Sequence, residues 1–304
     1  MLRYILSRFA QAVLVMFGVS LLIFYSLHLT GDPAAVMMPP GSSNEEIETF
    51  RHAMGFDRPL LWQYGHYLNS LLHGDLGLSL RYEQPVTDLI AQRVPATLLL
   101  AVSALAWSTL IGLLLGVISA VWRNSFWDLL ARLLAFSGQA VPVFWLGLLM
   151  ILYFSLHLRW LPSSGYGSFS HLIMPAISLG AYYMSAIARL VRASLIDVLA
   201  QDYIRTAQAK GLSSWRILIR HGLRNALIPV VTVQGMYFAS LLGGALVTEI
   251  IFAWPGIGRL AVQAIQNRDF PLVQAIVLLA ALVFVMMNLV IDLLYVVLNP
   301  RIRL

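Results

Sequence analysis

Six runs of largely apolar residues divide this chain, and each is long enough to cross the roughly 30 Å hydrocarbon core of a bilayer as a single helix. They lie at about Phe9–Leu29, Ala96–Val121, Leu133–Leu156, Leu172–Leu195, Leu227–Phe252 and Leu272–Leu298. Lipid offers backbone amides no partner, so a segment crossing it alone must satisfy them within its own helix. The expected class is therefore all-α: a polytopic membrane protein with six transmembrane helices, one domain over residues 1–304. Composition agrees, with 59% hydrophobic and 11% charged residues where soluble domains average about 25% charged. The fourth run is the least apolar, with Ser178, Tyr182, Tyr183 and Ser185 inside it and Arg189 and Arg192 at its end. The first run follows Arg3 and Arg8, exceeds the apolar core of a signal peptide and lacks a small-residue cleavage site, so it reads as a retained span.

Basic residues set the orientation. With both termini inside, the inner connections hold 13 of the 20 lysines and arginines and the outer ones 7. Both termini are expected in the cytoplasm. The basic residues flank apolar runs instead of clustering with aromatics, so the net charge of +6 does not point to nucleic acid.

The connection over residues 30–95 carries helix punctuation and reads as an external helical insertion. Ser43 is placed to cap a helix that starts at Glu45-Glu46 and stops near Gly55. Asp57 is placed to cap a second, with Pro59 in its first turn and Gly74 past its end. Pro85 and Pro95 bracket a third. Among the spans, Gly112 and Gly116 form a GxxxG, Gly138 and Pro142 interrupt the start of the third, and Gly243-Gly244 sit in the fifth. Small residues allow close helix packing in lipid, and they also permit bending.

The polar, basic interruption at residues 197–229 reads as a cytoplasmic loop and holds Lys210, the only lysine. Tyr203, Ala207 and Gly211 recur every fourth residue and so share one helical face. Ser213 is a candidate N-cap for a second helix, on which Arg216, Arg220 and Arg224 form a basic stripe. Such a loop is either a solvated connection with topogenic charge or a docking element for a cytoplasmic partner.

Several chemistries are excluded. The single lysine stands in Ala-Lys-Gly, so no phosphate-binding Gly-Lys-Ser/Thr exists. There is no HExxH and no cysteine. Asp292, beside Asn288, is the one aspartate inside an expected span, so an intramembrane carboxylate dyad is not indicated. No metal site is expected. A channel is disfavoured because no span offers a filter-like loop or a charged ring. A chain with six spans, a docking loop and no energy-converting chemistry suits a subunit powered from elsewhere.

Arg205-Thr206-Ala207, three residues and then Gly211 resemble the coupling loop of bacterial ABC-importer permeases. Arg205 and Thr206 replace the commonest Glu and Ala, and Arg224 stands where a first proline is expected, while Pro229 matches the second. These departures are similar to those of the dipeptide/oligopeptide/nickel branch. So are Gly31-Asp32-Pro33-Ala34, Gly74-Asp75-Leu76-Gly77, Arg93-Val94-Pro95-Ala96-Thr97, Asp202-Tyr203, Phe252-Ala253-Trp254-Pro255-Gly256 and Asn299-Pro300-Arg301. The resemblance spans nearly the whole chain.

It implies a type I ABC importer permease fold in a bacterial inner membrane and a non-catalytic role. The implied assembly contains a second homologous permease, two ATPase subunits that carry ATP and Mg, an extracytoplasmic binding protein and surrounding lipid. Closure of the ATPase dimer would move the coupling helices. Asp202, Tyr203, Arg205, Thr206, Ala207, Lys210 and Gly211 would form the ATPase-coupling element, with Ala207 and Gly211 facing the ATPase cleft. Glu249, expected near the outer interface, is either a candidate gate or binding-protein contact or an ordinary interfacial residue with Trp254 as aromatic anchor. Family cargoes include di- and oligopeptides, glutathione, nickel and metal–opine chelates. Peptides are expected first, and Trp160–Gly167 resembles the nickel branch.

Overall fold

The apolar runs become helices, and prolines and polar pairs decide where those helices bend. The structure, a computed structural model, describes residues 2–29, 32–38 and 41–298. Gly31 and residues 299–304 lie outside the described residues, as do the side chains of Arg3, Tyr4 and Asp292 and the surroundings of Gly243 and Gly244. No strand occurs among the described residues.

The chain forms two compact units, residues 2–95 with 256–286 and residues 96–255 with 287–298. The first contains α1 (Leu2–Leu29), α2 (Pro33–Met37), α3 (Asn44–Met54) and α4 (Leu60–Leu72). Ser43 caps α3 through a reciprocal capping box with Glu46. Asp57 does not cap α4, whose N-cap is Pro59; it pairs instead with the His52 ring at 3.0 Å. That hydrogen bond draws the Asp57 carboxyl below its ordinary pKa. The third helix expected between Pro85 and Pro95 is not separate. Helix α5 (Val86–Val121) passes through Pro95 unbroken, because neighbouring apolar turns sustain a membrane helix across one missing donor.

The second unit continues with α6 (Phe126–Ala140) and α7 (Val143–Met150), which runs on in π winding to His157. Their axes meet at 103°, where Pro142 forms the N-cap of α7. The third expected span is therefore bent where Gly138 and Pro142 interrupt it. Next come α8 (Phe169–Leu199) and α9 (Asp202–Ala209), followed by α10 (Ser214–Arg216), a π stretch Ile217–Leu223 and α11 (Arg224–Ala226). After these stand α12 (Ile228–Gly244) and α13 (Leu246–Ile251), broken at Ala245. Helices α14 (Ile257–Gln266) and α15 (Phe270–Leu298) complete the order, with Gly256–Met286 belonging to the first unit.

Among the described residues, four helices are long and apolar enough to cross a membrane, and two bent pairs raise the number to six when each pair counts as one span. Helix α8 is the core of the second unit, with 72% of its most apolar window buried. It carries Ser178 and Ser185 fully buried. Close packing explains the glycines: a Cβ at Gly116 would stand 2.7 Å from the Ala188 carbonyl oxygen on α8.

In the first unit Val86, Leu89 and Ile90 pack with Leu260, Ala264 and Leu272. There the fully buried Asp269 accepts from the Ser79 hydroxyl and from the backbone N–H groups of Leu80 and Leu272 at 3.3 and 3.4 Å. It thus joins the 79–82 turn to the start of α15.

Candidate functional site

Helix α9 is short and amphipathic, and its inward face is not the one that four-residue spacing implied. Ile204 and Ala207 are buried and pack with Ile217, with Leu212 beside them. Ala207 therefore does not face a partner cleft; it is spent on holding α9 to its own chain. The physical reason is register. Ile204 and Ala207, three apart, form the apolar stripe of an eight-residue helix, and Tyr203 sits beside that stripe, 42% exposed.

The solvent side of α9 carries Asp202, Arg205, Thr206 and Gln208, with Lys210 after it. Arg205 reaches Asp202 at 3.4 Å, but both are open to water, so the pair contributes little. Tyr203 is tied down at its hydroxyl, which accepts from Asn225 Nδ2 at 2.9 Å. This joins α9 to α11.

Gly211 ends the helix at φ +73°. An L side chain rarely adopts that conformation, and glycine does so without a Cβ penalty. A Cβ there would meet nothing within 4 Å, so the requirement is conformational and no contact of this chain enforces it. Ser213 occupies the N-cap of α10, but its side chain makes no capping bond. Arg216, Arg220 and Arg224 are exposed, as the stripe implied.

Helix α8 leads into α9 through two residues only, so α9 rides on the end of the most buried helix. The C-terminal half of α8 is anchored by a charge cluster. Asp128, fully buried near the start of α6, lies 3.2 Å from Arg192 Nη2 on α8 and 3.0 Å from Arg132 Nε. It also accepts from the Ser119 hydroxyl of α5 and from the Asn124 N–H at 3.0 Å. Three helices thus converge on one carboxylate with its donors in place, as a buried charge requires. Sequence reasoning missed Asp128. The available signals were Ser125 three residues before it, which caps α6, and Arg132 one turn after it.

Glu249 is not at a surface. It is fully buried on α13, and Thr97 Oγ1 donates to its Oε1 at 2.7 Å. Trp254 is equally interior. Its indole donates to the Ala96 carbonyl at 2.8 Å, and Tyr166 stacks edge-on at 4.9 Å. The expected interfacial glutamate and aromatic anchor are instead core groups of the second unit. Helical winding breaks at Ala245, between α12 and α13.

Residues 112–304 match the family described as binding-protein-dependent transport system inner membrane component, and residues 1–101 match its N-terminal region. The chain belongs to this family of ABC-importer permeases. It is 45% identical over 304 residues to the glutathione transport system permease protein GsiC of Escherichia coli (strain K12), covering 100% of this chain and 99% of that one. The same figures hold for GsiC of Shigella flexneri serotype 5b (strain 8401). Among solved structures, inward-facing conformations of the MetNI methionine ABC transporter align with a TM-score of 0.54 at 20% identity. That alignment covers 68% of this chain and 96% of the other. An amino acid ABC transporter with histidines gives 0.54 at 16% identity, over 68% and 93%.

The fold is that of a type I importer permease, within the dipeptide/oligopeptide/nickel type. The permease is a multi-pass inner-membrane subunit that works with ATPase and substrate-binding partners.

Proposed function

We propose that this permease forms half of an import path for short peptides, glutathione among them, and that α9 is its coupling helix. The supporting observation for the cargo is the 45% identity to glutathione permeases along the entire chain. Metal chelates are the second reading, drawn from Trp160–Gly167. The structure gives that loop an internal role, however: Gly165 N–H donates to the Phe252 carbonyl at 2.9 Å, and Tyr166 covers Trp254. These packing contacts account for the loop without reference to cargo.

In this proposal the permease pairs with a homologous second permease above two ATPase subunits, which carry ATP and Mg. An extracytoplasmic binding protein delivers the cargo. The chain itself is non-catalytic. Asp202, Arg205, Thr206 and Lys210 present the polar face of α9 to the ATPase, Gly211 sets the turn, and Ala207 and Tyr203 hold the helix in place. Both termini lie in the cytoplasm, as the basic-residue bias favours.

Two measurements test this. The cognate binding protein should bind glutathione or dipeptides, and the assembled importer should take them up; uptake confined to metal chelates would overturn the cargo. A reporter active only outside the inner membrane, fused after Leu304, should be silent, and activity would overturn the orientation.

A further inference from the structure

A cleft of about 380 Å³ opens beside the Asp128 cluster, among α5, α6 and α8. Its walls are mostly apolar, with Leu115, Ala135 and Phe136 among them, and three arginines line it: Arg132, Arg189 and Arg192. Arg132 and Arg192 share the single carboxylate of Asp128. Arg189 bonds only neutral groups, Gln139 Oε1 and Ser185 Oγ. Three guanidinium groups against one carboxylate leave the cleft with a surplus of two positive charges.

The surroundings set its depth. The turn from α5 to α6 exposes Trp122, Phe126 and Trp127, the aromatic signature of the headgroup level. Arg132 lies five residues beyond Trp127, about 7.5 Å of helical rise, and the outer face of α6 there exposes Leu129, Leu133 and Phe136. Surplus guanidinium charge at the edge of the acyl region is unfavourable unless an anion meets it. A phosphodiester matches the fork of an arginine, and an acyl chain fits the apolar walls.

We propose that this cleft binds one acidic phospholipid, its phosphate held by Arg189 and the outer edge of Arg132 and its acyl chain along Phe136. The site lies against α8 one turn from Arg192, so an occupying lipid would brace the helix that carries α9.

The test uses the intact importer, permeases with ATPases, released from the membrane and incubated with either phosphatidylglycerol or phosphatidylcholine. Native mass spectrometry should show retained phosphatidylglycerol and little phosphatidylcholine. Arg189→Ala spares the Asp128 pairs, and it should weaken phosphatidylglycerol retention by roughly fivefold, the worth of one basic side chain at an acidic membrane surface. Arg189→Lys should restore most of it, and Arg132→Gln should weaken it independently. Equal retention of the two lipids, or an unchanged Arg189→Ala, would overturn the proposal. So would displacement of the lipid by inorganic phosphate alone, which marks a free-anion site. The chain has no cysteine, so a Phe136→Cys thiol can be labelled singly; its shielding by the second permease would show that a protein occupies the cleft, and would also overturn the proposal.

Discussion

Replacing Asp128 by alanine should destabilise the permease and uncouple it, with most of the effect passing through Arg192. At 3.2 Å and an effective dielectric near 20, a unit pair has a gross attraction of about 5 kcal/mol. Much of that offsets the desolvation of a carboxylate with no exposed surface. Breaking a buried pair from one side typically costs about 3–5 kcal/mol. The Arg192 side chain keeps 27% of its exposure, so water partly solvates the orphaned guanidinium and the expected loss is about 2–4 kcal/mol. Arg132 is 52% exposed, and its share should stay below about 1 kcal/mol.

The assay is thermal unfolding of the purified complex in a double-mutant cycle, with Asp128→Ala combined in turn with Arg192→Ala and Arg132→Ala. Coupling to Arg192 should exceed coupling to Arg132 by about 1 kcal/mol or more, within the range seen for contacting residues. Uptake should fall with stability, because Arg192 anchors the half of α8 that leads into α9. Equal coupling to the two arginines, or coupling to Arg192 below about 0.5 kcal/mol, would refute the reasoning.

Three further outcomes follow from the geometry. Gly211→Val should lower uptake and ATPase pull-down, since an L residue in the left-handed region costs about 1–2 kcal/mol; Gly211→Asn should be milder, and equal effects would remove the conformational argument. Ala207→Leu should destabilise α9 by about 1–3 kcal/mol through overpacking, whereas Arg205→Ala with Lys210→Ala should weaken ATPase pull-down and leave the melting temperature unchanged; the reverse pattern would invert the assigned faces. Glu249→Leu should cost about 1–3 kcal/mol by removing the buried acceptor of the Thr97 hydroxyl and Glu249→Gln much less, as read by thermal unfolding; equal melting temperatures for wild type and Glu249→Leu would contradict the buried bond.

Apolar periodicity made the helices legible because in lipid it also reports what each helix faces. It ranked α8 lowest among the spans for the same reason: hydropathy measures contact with lipid, and the helix enclosed by other helices can carry Ser178, Ser185 and Arg192. Local punctuation was legible where the signal was closed within a few residues, as at Ser43 with Glu46 or at Gly211. It failed at Asp57 and Pro95, where a local rule competed with a ring hydrogen bond or with a longer apolar run.

The sequence by itself determined an all-helical membrane chain, the position of the polar segment that holds α9 and the turn that ends that helix, since each follows from spacing and backbone preference within a few turns. The tertiary structure alone decided which side of α9 is free, that Glu249 and Trp254 are interior, and that Asp128 gathers Ser119 and Arg192. Those partners lie 9 and 64 residues away along the chain. No local pattern encodes such a meeting, because a buried charge is stable only where packing delivers its donors to one point.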